Sequence, residues 1–390
     1  MHIVFLTHPA FLGSQSMPRF AAMLVQGMQQ RGHQTEIWTP KPIFYKLPIP
    51  NILKKWAGYI DQYIVFPAHV RRRLKSNPAN TLFVFTDHAL GPWVPLLAHR
   101  PHVIHCHDFL AQRSALGQIP ENPTSSSGQQ YQAYIRKGYQ KGKNFISVSE
   151  RTRTDLHEML GYKPTISEMV YNGLNQDFEM HNTQTARMAV SKETDISTTK
   201  GYLLHVGGNQ WYKNRTGVIQ AYNAWRSNFK KTLPLLMVGI MPNSKLMDEF
   251  NKSPYKQDIH FLTDKSDAFI KQVYSGASVF FFPSLAEGFG WPIAEAMASG
   301  SPVITTHEAP MTEVGGTASF YVPRKQYHEN IYDWAIQAAS KINEILNLTL
   351  YEREEAVAAG VVNARRFDTE KSLNAIEDIY KRILSQNIKY

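Results

Sequence analysis

Short apolar runs alternate with helix-patterned stretches in two long series, and this alternation limits the fold more than any other feature of the chain. The first series places strands at His2–Leu6, Thr35–Trp38, Leu82–Phe85, Val103–Cys106, Phe145–Val148 and Met169–Tyr171. A helix is expected over Pro18–Arg31, stopped by Gly32. The second series runs through Tyr202–Val206, Leu235–Val238, Ile259–Leu262, Val279–Phe282, Pro302–Thr305 and Phe320–Val322, with a helix near 214–226. Strands that alternate with helices argue parallel sheets joined by right-handed crossovers. Two such series argue an α/β protein of two doubly wound domains with a cleft between them. The segment 179–200 is polar and nearly free of large apolar residues, so it reads as a surface loop or linker. Residues from about 330 to 388 read as helical.

Composition narrows the class. A chain of 390 residues is long enough for two ordinary domains, and its 43% hydrophobic content supplies their cores. One cysteine, Cys106, permits no internal disulfide and fits a reducing compartment. No apolar run approaches the roughly 18 residues that span a bilayer. The start, MHIVFLTHP, reads as a first strand rather than a signal peptide, so the expected location is the cytoplasm.

Net charge is +10, and the excess is uneven. Residues 41–75 carry Lys41, Lys46, Lys54, Lys55, Arg71, Arg72, Arg73 and Lys75 against the single acid Asp61, with Trp56, Tyr59, Tyr63 and Phe66 interleaved. One reading is a surface that meets anionic lipid headgroups or an anionic acceptor, at the inner face of a membrane. The other is a solvated helix face with a general attraction for phosphate. No nucleic-acid module accompanies the charge, so nucleic acid is not expected as a partner.

The chemistry concentrates in 283–316, PSLAEGFGWPIAEAMASGSPVITTHEAPMTEVGG. Glu287 and Glu295 bracket the turn Gly288-Phe289-Gly290, and Pro292 stands where a helix would begin. Glycine lets backbone approach a ligand, proline is preorganised for a first helical turn, and the helix start offers N–H donors. Taken singly, Glu295 could complement the helix dipole and Glu287 could be a solvated loop acid. His8, His88 and His107 each follow an apolar strand, at the ends where α/β sheets bind ligands. His105 and His107 share a strand face, which raises a metal site as an alternative. No third ligand at zinc spacing and no Asp-x-Asp motif accompanies them, and His105 reads as a packing residue.

PSLAEGFGWPIAEAMASGSPVITT with a downstream TEVGG resembles the retaining glycosyltransferases of family 4, which have the GT-B fold. Their signature is a pair of glutamates separated by seven residues, here Glu287 and Glu295. RGHQTEIWTP (31–40), ISVSERTRTDL (146–156), VYNGLN (170–175) and HVGGNQWYKNR (205–215) fall in the family's order. The resemblance covers nearly the whole chain. It implies two Rossmann-like parallel-sheet domains facing across a cleft. Residues 1–185 would form the acceptor-side domain, 186–200 a linker and 201–370 the nucleotide-sugar domain. A helix over 371–390 would pack back on the first domain.

The implied reaction is retaining transfer of a hexose-type sugar from a UDP- or GDP-sugar to a hydroxyl acceptor. Glycan, polysaccharide or glycolipid synthesis is the expected setting, with a glycan or lipid-linked acceptor and no metal or other cofactor. By resemblance Lys213 binds the diphosphate and Glu295 the ribose hydroxyls. Glu287 contacts the donor sugar near the reacting carbon, aided by the backbone of Phe289 and Gly290, and His107 lines the same sugar pocket. Lys213 alone could be a solvated lysine at a helix start. Gly208 stands where the family usually has an arginine, and Arg215 is the substitute. Backbone N–H groups near Gly13 and Ser14 would face the phosphates, where the family often has two glycines. Acceptor contacts are expected in Gly13–Pro18, Asp87–Gly91 and Asp108–Ser114. An epimerase on the same fold, or a non-catalytic nucleotide-sugar binder, is the alternative function.

Overall fold

The computed structural model describes residues 1–13, 16–174, 178–327 and 331–387. The chain forms two compact units. Unit 1 comprises Met1–Ile119, Pro123–Asn175 and Thr369–Tyr390, and unit 2 comprises Pro120–Asn122 and Gln176–Asp368.

Unit 1 is built on strands β1 (His2–Leu6), β2 (Gln34–Trp38), β3 (Leu82–Phe85), β4 (His102–Cys106), β5 (Asn144–Ser147) and β6 (Ile166–Met169). They lie in the order β2-β1-β3-β4-β5-β6, every pair parallel. Side chains alternate between faces along each strand. Val4, Leu6, Phe83, Phe85, Ile104 and Phe145 therefore join one core, while Ile3, Phe5, Leu82, Val84, Val103 and Ile146 join another. Burial on both faces explains why the inner strands β1 (HIVFL) and β3 (LFVF) read as apolar runs.

The second core takes in the helix Thr369–Asn387, whose Leu373, Ile376, Ile379, Tyr380 and Ile383 share one helical stripe. Polar contacts fix the same helix at its edge. Arg31 donates to Glu370 Oε2 at 2.7 Å, and His33 Nε2 lies 2.7 Å from Glu377 Oε1. His105 Nε2 meets the Tyr380 hydroxyl at 2.8 Å, and burial pushes its pKa down to about 3. His105 is thus a neutral packing residue.

Unit 2 carries β7 (Leu203–Val206), β8 (Leu235–Val238), β9 (Ile259–Leu262), β10 (Val279–Phe282), β11 (Val303–Thr306) and β12 (Phe320–Val322). Their order is β12-β11-β10-β7-β8-β9, again all parallel. The helices Arg215–Phe229 and Ile331–Leu346 cover one face through Val218, Tyr222, Trp225, Trp334, Ala338 and Ile342.

Three sequence expectations are corrected. The last strand of the first series is Ile166–Met169, not Met169–Tyr171. It is an edge strand, so it tolerates Ser167 and Glu168 and hides its apolar signal. The segment taken for loop or linker contains the helix Thr183–Thr194. Asn182 caps it by accepting from Thr185 N–H, and Ala186 and Val190, four apart, are its buried pair. The units also divide near 175 rather than at 185 with a linker to 200, so that helix belongs to unit 2.

Strand order locates where each unit can bind ligands. In unit 1 the chain lays β2 on one side of β1 and β3 on the other. In unit 2 it lays β8 and β9 on one side of β7 and β10 to β12 on the other. Each sheet thus reverses direction once, between β1 and β3 and between β7 and β10. Open α/β sheets bind ligands at the carboxyl ends of the strands flanking such a reversal.

Candidate active site

In unit 2 the loops leaving β7 and β10 meet at that reversal. The β7 loop passes through a turn of 3-10 helix, Trp211–Lys213, closed by Asn214 in the left-handed region (φ 51°). Asn214 Nδ2 donates to the Pro283 carbonyl at 3.0 Å, and Leu285 N–H donates to the Tyr212 carbonyl at 2.7 Å. These bonds lash the two loops together and set Lys213 against Glu287.

Lys213 Nζ lies 2.8 Å from Glu287 Oε1, with side chains only 14% and 8% exposed. Ser284 Oγ stands 2.6 Å from the same carboxylate oxygen and 2.8 Å from the Tyr212 carbonyl. The ammonium also sits 4.8 Å from the centre of the Phe282 ring and 5.4 Å from that of Tyr212. A nearly dry ion pair is expensive to desolvate, and it persists only when further hydrogen bonds and good geometry support it. Here the hydroxyl and the two rings give that support. The result is a fixed positive charge next to a fixed negative one, at the place a ligand would enter.

Glu295 is on the helix Trp291–Ala298 that follows. Gly290 takes φ 109° at its N-cap, a conformation that L side chains rarely adopt, and no side chain caps the helix. Glu295 Oε2 accepts from the Tyr274 hydroxyl at 2.8 Å. Burial, reinforced by the carboxylate's charge, pushes the Tyr274 hydroxyl pKa well up, so it stays a donor. Phe289 is buried and packs edge-on against Phe367, with ring centres 5.3 Å apart.

Arg215 does not join the Lys213–Glu287 pair. Its guanidinium is buried, donating to Asn209 Oδ1 at 2.6 Å and to the Ile240 carbonyl at 3.1 Å. Burial lowers its pKa to about 10. Sequence reasoning missed Ser284, Asn214 and Tyr274. Ser284 had a usable signal, since it stands between the end of β10 and Glu287. Tyr274, in the helix Asp267–Gly276, had none.

In unit 1 the reversal between β1 and β3 holds a second pair. His8 Nε2 lies 2.9 Å from Asp87 Oδ2. Asp87 Oδ1 accepts from Ala89 N–H at 3.0 Å and has His88 Nδ1 3.0 Å away, too poorly aligned for a hydrogen bond. Burial would raise the Asp87 pKa, but the charge of His88 and the bond from His8 outweigh it and hold it well below the usual range. Burial likewise disfavours charged His88, yet Asp87 prevails and raises its pKa. The segment after Asp87 is pinned where Gly91 meets Gly138, because a Cβ on Gly138 would stand 2.1 Å from the Gly91 carbonyl oxygen.

His107 follows β4. Its Nε2 lies 2.9 Å from the Thr86 carbonyl, its ring is edge-on to Phe20 at 4.4 Å, and burial lowers its pKa. Gly13 takes φ 72° after the 3-10 turn Ala10–Leu12, and its N–H donates to the Ala10 carbonyl at 3.2 Å. Ser14 lies outside the described residues. Among the described residues no group of three or more His, Cys, Asp or Glu is placed to hold a metal ion.

Known proteins share this architecture. The family described as glycosyl transferases group 1 matches residues 187–359, and the family described as glycosyltransferase family 4 matches residues 17–178. O-antigen chain mannosyltransferase B of Escherichia coli is 30% identical over 184 residues, 47% of this chain and 46% of the relative. The chain spans about half the length of the curated relatives it matches first. Among solved structures, Anabaena HepE in complex with UDP and glucose superposes with a TM-score of 0.70 at 16% identity, covering 97% of this chain and 98% of that one. WaaG, a glycosyltransferase involved in lipopolysaccharide biosynthesis, gives 0.69 at 16% identity, covering 97% and 99%. At such identity the structures speak for the fold alone.

Proposed function

This chain belongs to the family 4 glycosyltransferases with the GT-B fold, and from that premise we propose that it moves a mannosyl or glucosyl unit from a GDP- or UDP-sugar to a hydroxyl of a glycan or lipid-linked acceptor, with retention and without a metal. The observation that carries the reading is the Lys213–Glu287 pair at the reversal of unit 2, with Glu295 on the next helix.

The diphosphate leaves as a stabilised anion, so the barrier is lowered mainly by preorganised charge. In this reading Lys213 meets the phosphates, in the role a metal ion would otherwise fill. Glu287 faces the sugar carbon as it gains positive charge. Glu295, steadied by Tyr274, accepts from the ribose hydroxyls, since a carboxylate accepts paired hydroxyl donors. The relatives named for O-antigen mannosyl transfer favour mannose, and HepE's complex with UDP and glucose keeps UDP-glucose as a candidate.

A thermal-shift panel of GDP-mannose, UDP-glucose and UDP-N-acetylglucosamine, each with and without EDTA, tests the reading. A ligand at 100 times its Kd stabilises the native state by about 2.7 kcal/mol, so the cognate donor should raise the Tm clearly and EDTA should leave the shift intact. No shift with any of the three would overturn the assignment, and loss with EDTA would overturn metal independence.

The acceptor reading extends to a membrane surface. Ile43, Ile52 and Trp56 are 54%, 81% and 63% exposed. Lys41, Lys46 and Lys55 are exposed in the same stretch. Apolar side chains fringed by lysine suit an interface with anionic lipid. No described helix is long and apolar enough to cross a membrane. Vesicles of phosphatidylglycerol should co-sediment the protein in low salt and those of phosphatidylcholine should not; equal recovery with both would remove the proposal.

A further inference from the structure

Unit 2 has a cavity of about 60 Å³ between the loop after β7 and the loop after β8. Asn209, Arg215, Thr216, Asn243 and Lys245 line it, and neither Lys213 nor Glu287 does. A water needs roughly 10–15 Å³ of such space, so the cavity holds about four water-sized groups, as many as the oxygens of a tetrahedral oxyanion. Its two loops are tied together, since Asn209 Nδ2 donates to the Met241 carbonyl at 2.7 Å. The helices Arg215–Phe229 and Ser244–Lys252 both start on it, and neither has an acidic residue in its first turn. A helix start offers N–H donors and partial positive charge to an anion.

Arg215 points to a ligand independently of those helix starts. The residue is 5% exposed. Its Nη1 donates to two neutral acceptors, Asn209 Oδ1 and the Ile240 carbonyl. Among the described residues its Nε and Nη2 meet no acceptor. The Phe261 ring, 5.7 Å from Cζ, offers only a weak cation–π contact. Burial lowers its pKa to about 10, which still leaves the guanidinium charged at neutral pH. A buried cation without a counter-ion is costly, and an anion beside it offsets the cost. Lys245 adds a second, exposed cation to the same cavity.

We propose that this cavity binds a phosphate-sized oxyanion through Arg215, Lys245, the Thr216 hydroxyl and the two helix starts, separately from any ligand of the Lys213–Glu287 pair. A guanidinium suits the task, because its planar fork of N–H donors matches phosphate oxygens. The ligand is a phosphoryl group, carried as free phosphate or on a small ester whose remainder extends past exposed Lys245.

Calorimetric titration of the full chain with potassium phosphate and with glycerol 3-phosphate, against potassium chloride at equal ionic strength, tests it. Phosphate should bind to wild type, and to Lys213→Met/Glu287→Gln with nearly the same affinity. Arg215→Met should weaken binding roughly 10- to 150-fold, as for the loss of a hydrogen-bonded charge. Lys245→Glu changes an exposed residue, so it should weaken binding roughly tenfold and leave melting in chloride unchanged. Equal affinity for the two anions would mark free phosphate as the ligand, and tighter binding of glycerol 3-phosphate would mark an ester. Phosphate that gives no more heat than chloride would overturn the proposal. So would binding that survives both Arg215→Met and Lys245→Glu, or binding lost in folded Lys213→Met/Glu287→Gln, which would put the anion at that pair instead. If Arg215→Met fails to fold, Lys245→Glu decides. No sugar donor or acceptor enters the test, so its failure and the failure of the glycosyltransferase reading are separate results.

Discussion

Glu287→Gln should lower sugar transfer by about 10²- to 10³-fold, in line with losing one preorganised electrostatic contact to the transition state. The substitution is nearly isosteric. The amide oxygen can still accept from Ser284 and from Lys213, so the lashing of the β7 and β10 loops through Asn214 and Leu285 has no reason to change. What disappears is the negative charge that the proposed role sets beside the sugar carbon as that carbon turns positive. The same change frees Lys213 from neutralisation, so the free nucleoside diphosphate should bind as tightly as before or more so. Initial rates at saturating donor, set beside calorimetric titration of the diphosphate, separate the two effects. Undiminished transfer by a folded variant would sink the proposed role.

Lys213→Met is expected to fail in the opposite way. A hydrogen bond to a charged group contributes about 1.5–3 kcal/mol, so donor affinity should fall roughly 10- to 150-fold. Stability should fall as well. Removing one member of a buried ion pair strands the other, at a cost of about 3–5 kcal/mol for full burial, and the Glu287 side chain is 8% exposed. The double variant Lys213→Met/Glu287→Gln should recover most of the melting temperature and none of the donor affinity. Scanning calorimetry of the single and double variants measures the coupling. A Lys213→Met protein with wild-type melting and wild-type donor affinity would remove the pair from both roles.

The sheets were legible chiefly through inner strands that are buried on both faces and apolar at every position, such as LFVF at β3 and VFFF at β10. Legibility failed where burial is one-sided. β6 lost its signal to Ser167 and Glu168 at an edge, and the helix Thr183–Thr194 buries only alanine and valine, which leave little trace in a polar segment. At the site, the residue types could be read but most of their pairings could not. Lys213 and Glu287 are 74 positions apart, and His8 and Asp87 are 79 apart. Only strand order brings each couple together. Arg215 carried the right charge at a plausible spacing, yet its side chain runs to Asn209 and the Ile240 carbonyl. Tyr274 shows the same limit from the other side, because its value to Glu295 depends on two helices meeting.

Unit 1 is discontinuous, since Thr369–Tyr390 returns to it after the whole of unit 2. During synthesis, unit 2 has its complete sequence while one core of unit 1 still lacks Leu373, Ile376, Ile379, Tyr380 and Ile383. Domains that are continuous in sequence finish in the order they leave the ribosome. Here the later unit completes first, and the core that holds Ile3, Phe5, Phe20 and Leu24 waits for its last helix. A nascent chain stalled before residue 369 therefore holds all of unit 2 and a unit 1 with that core incomplete.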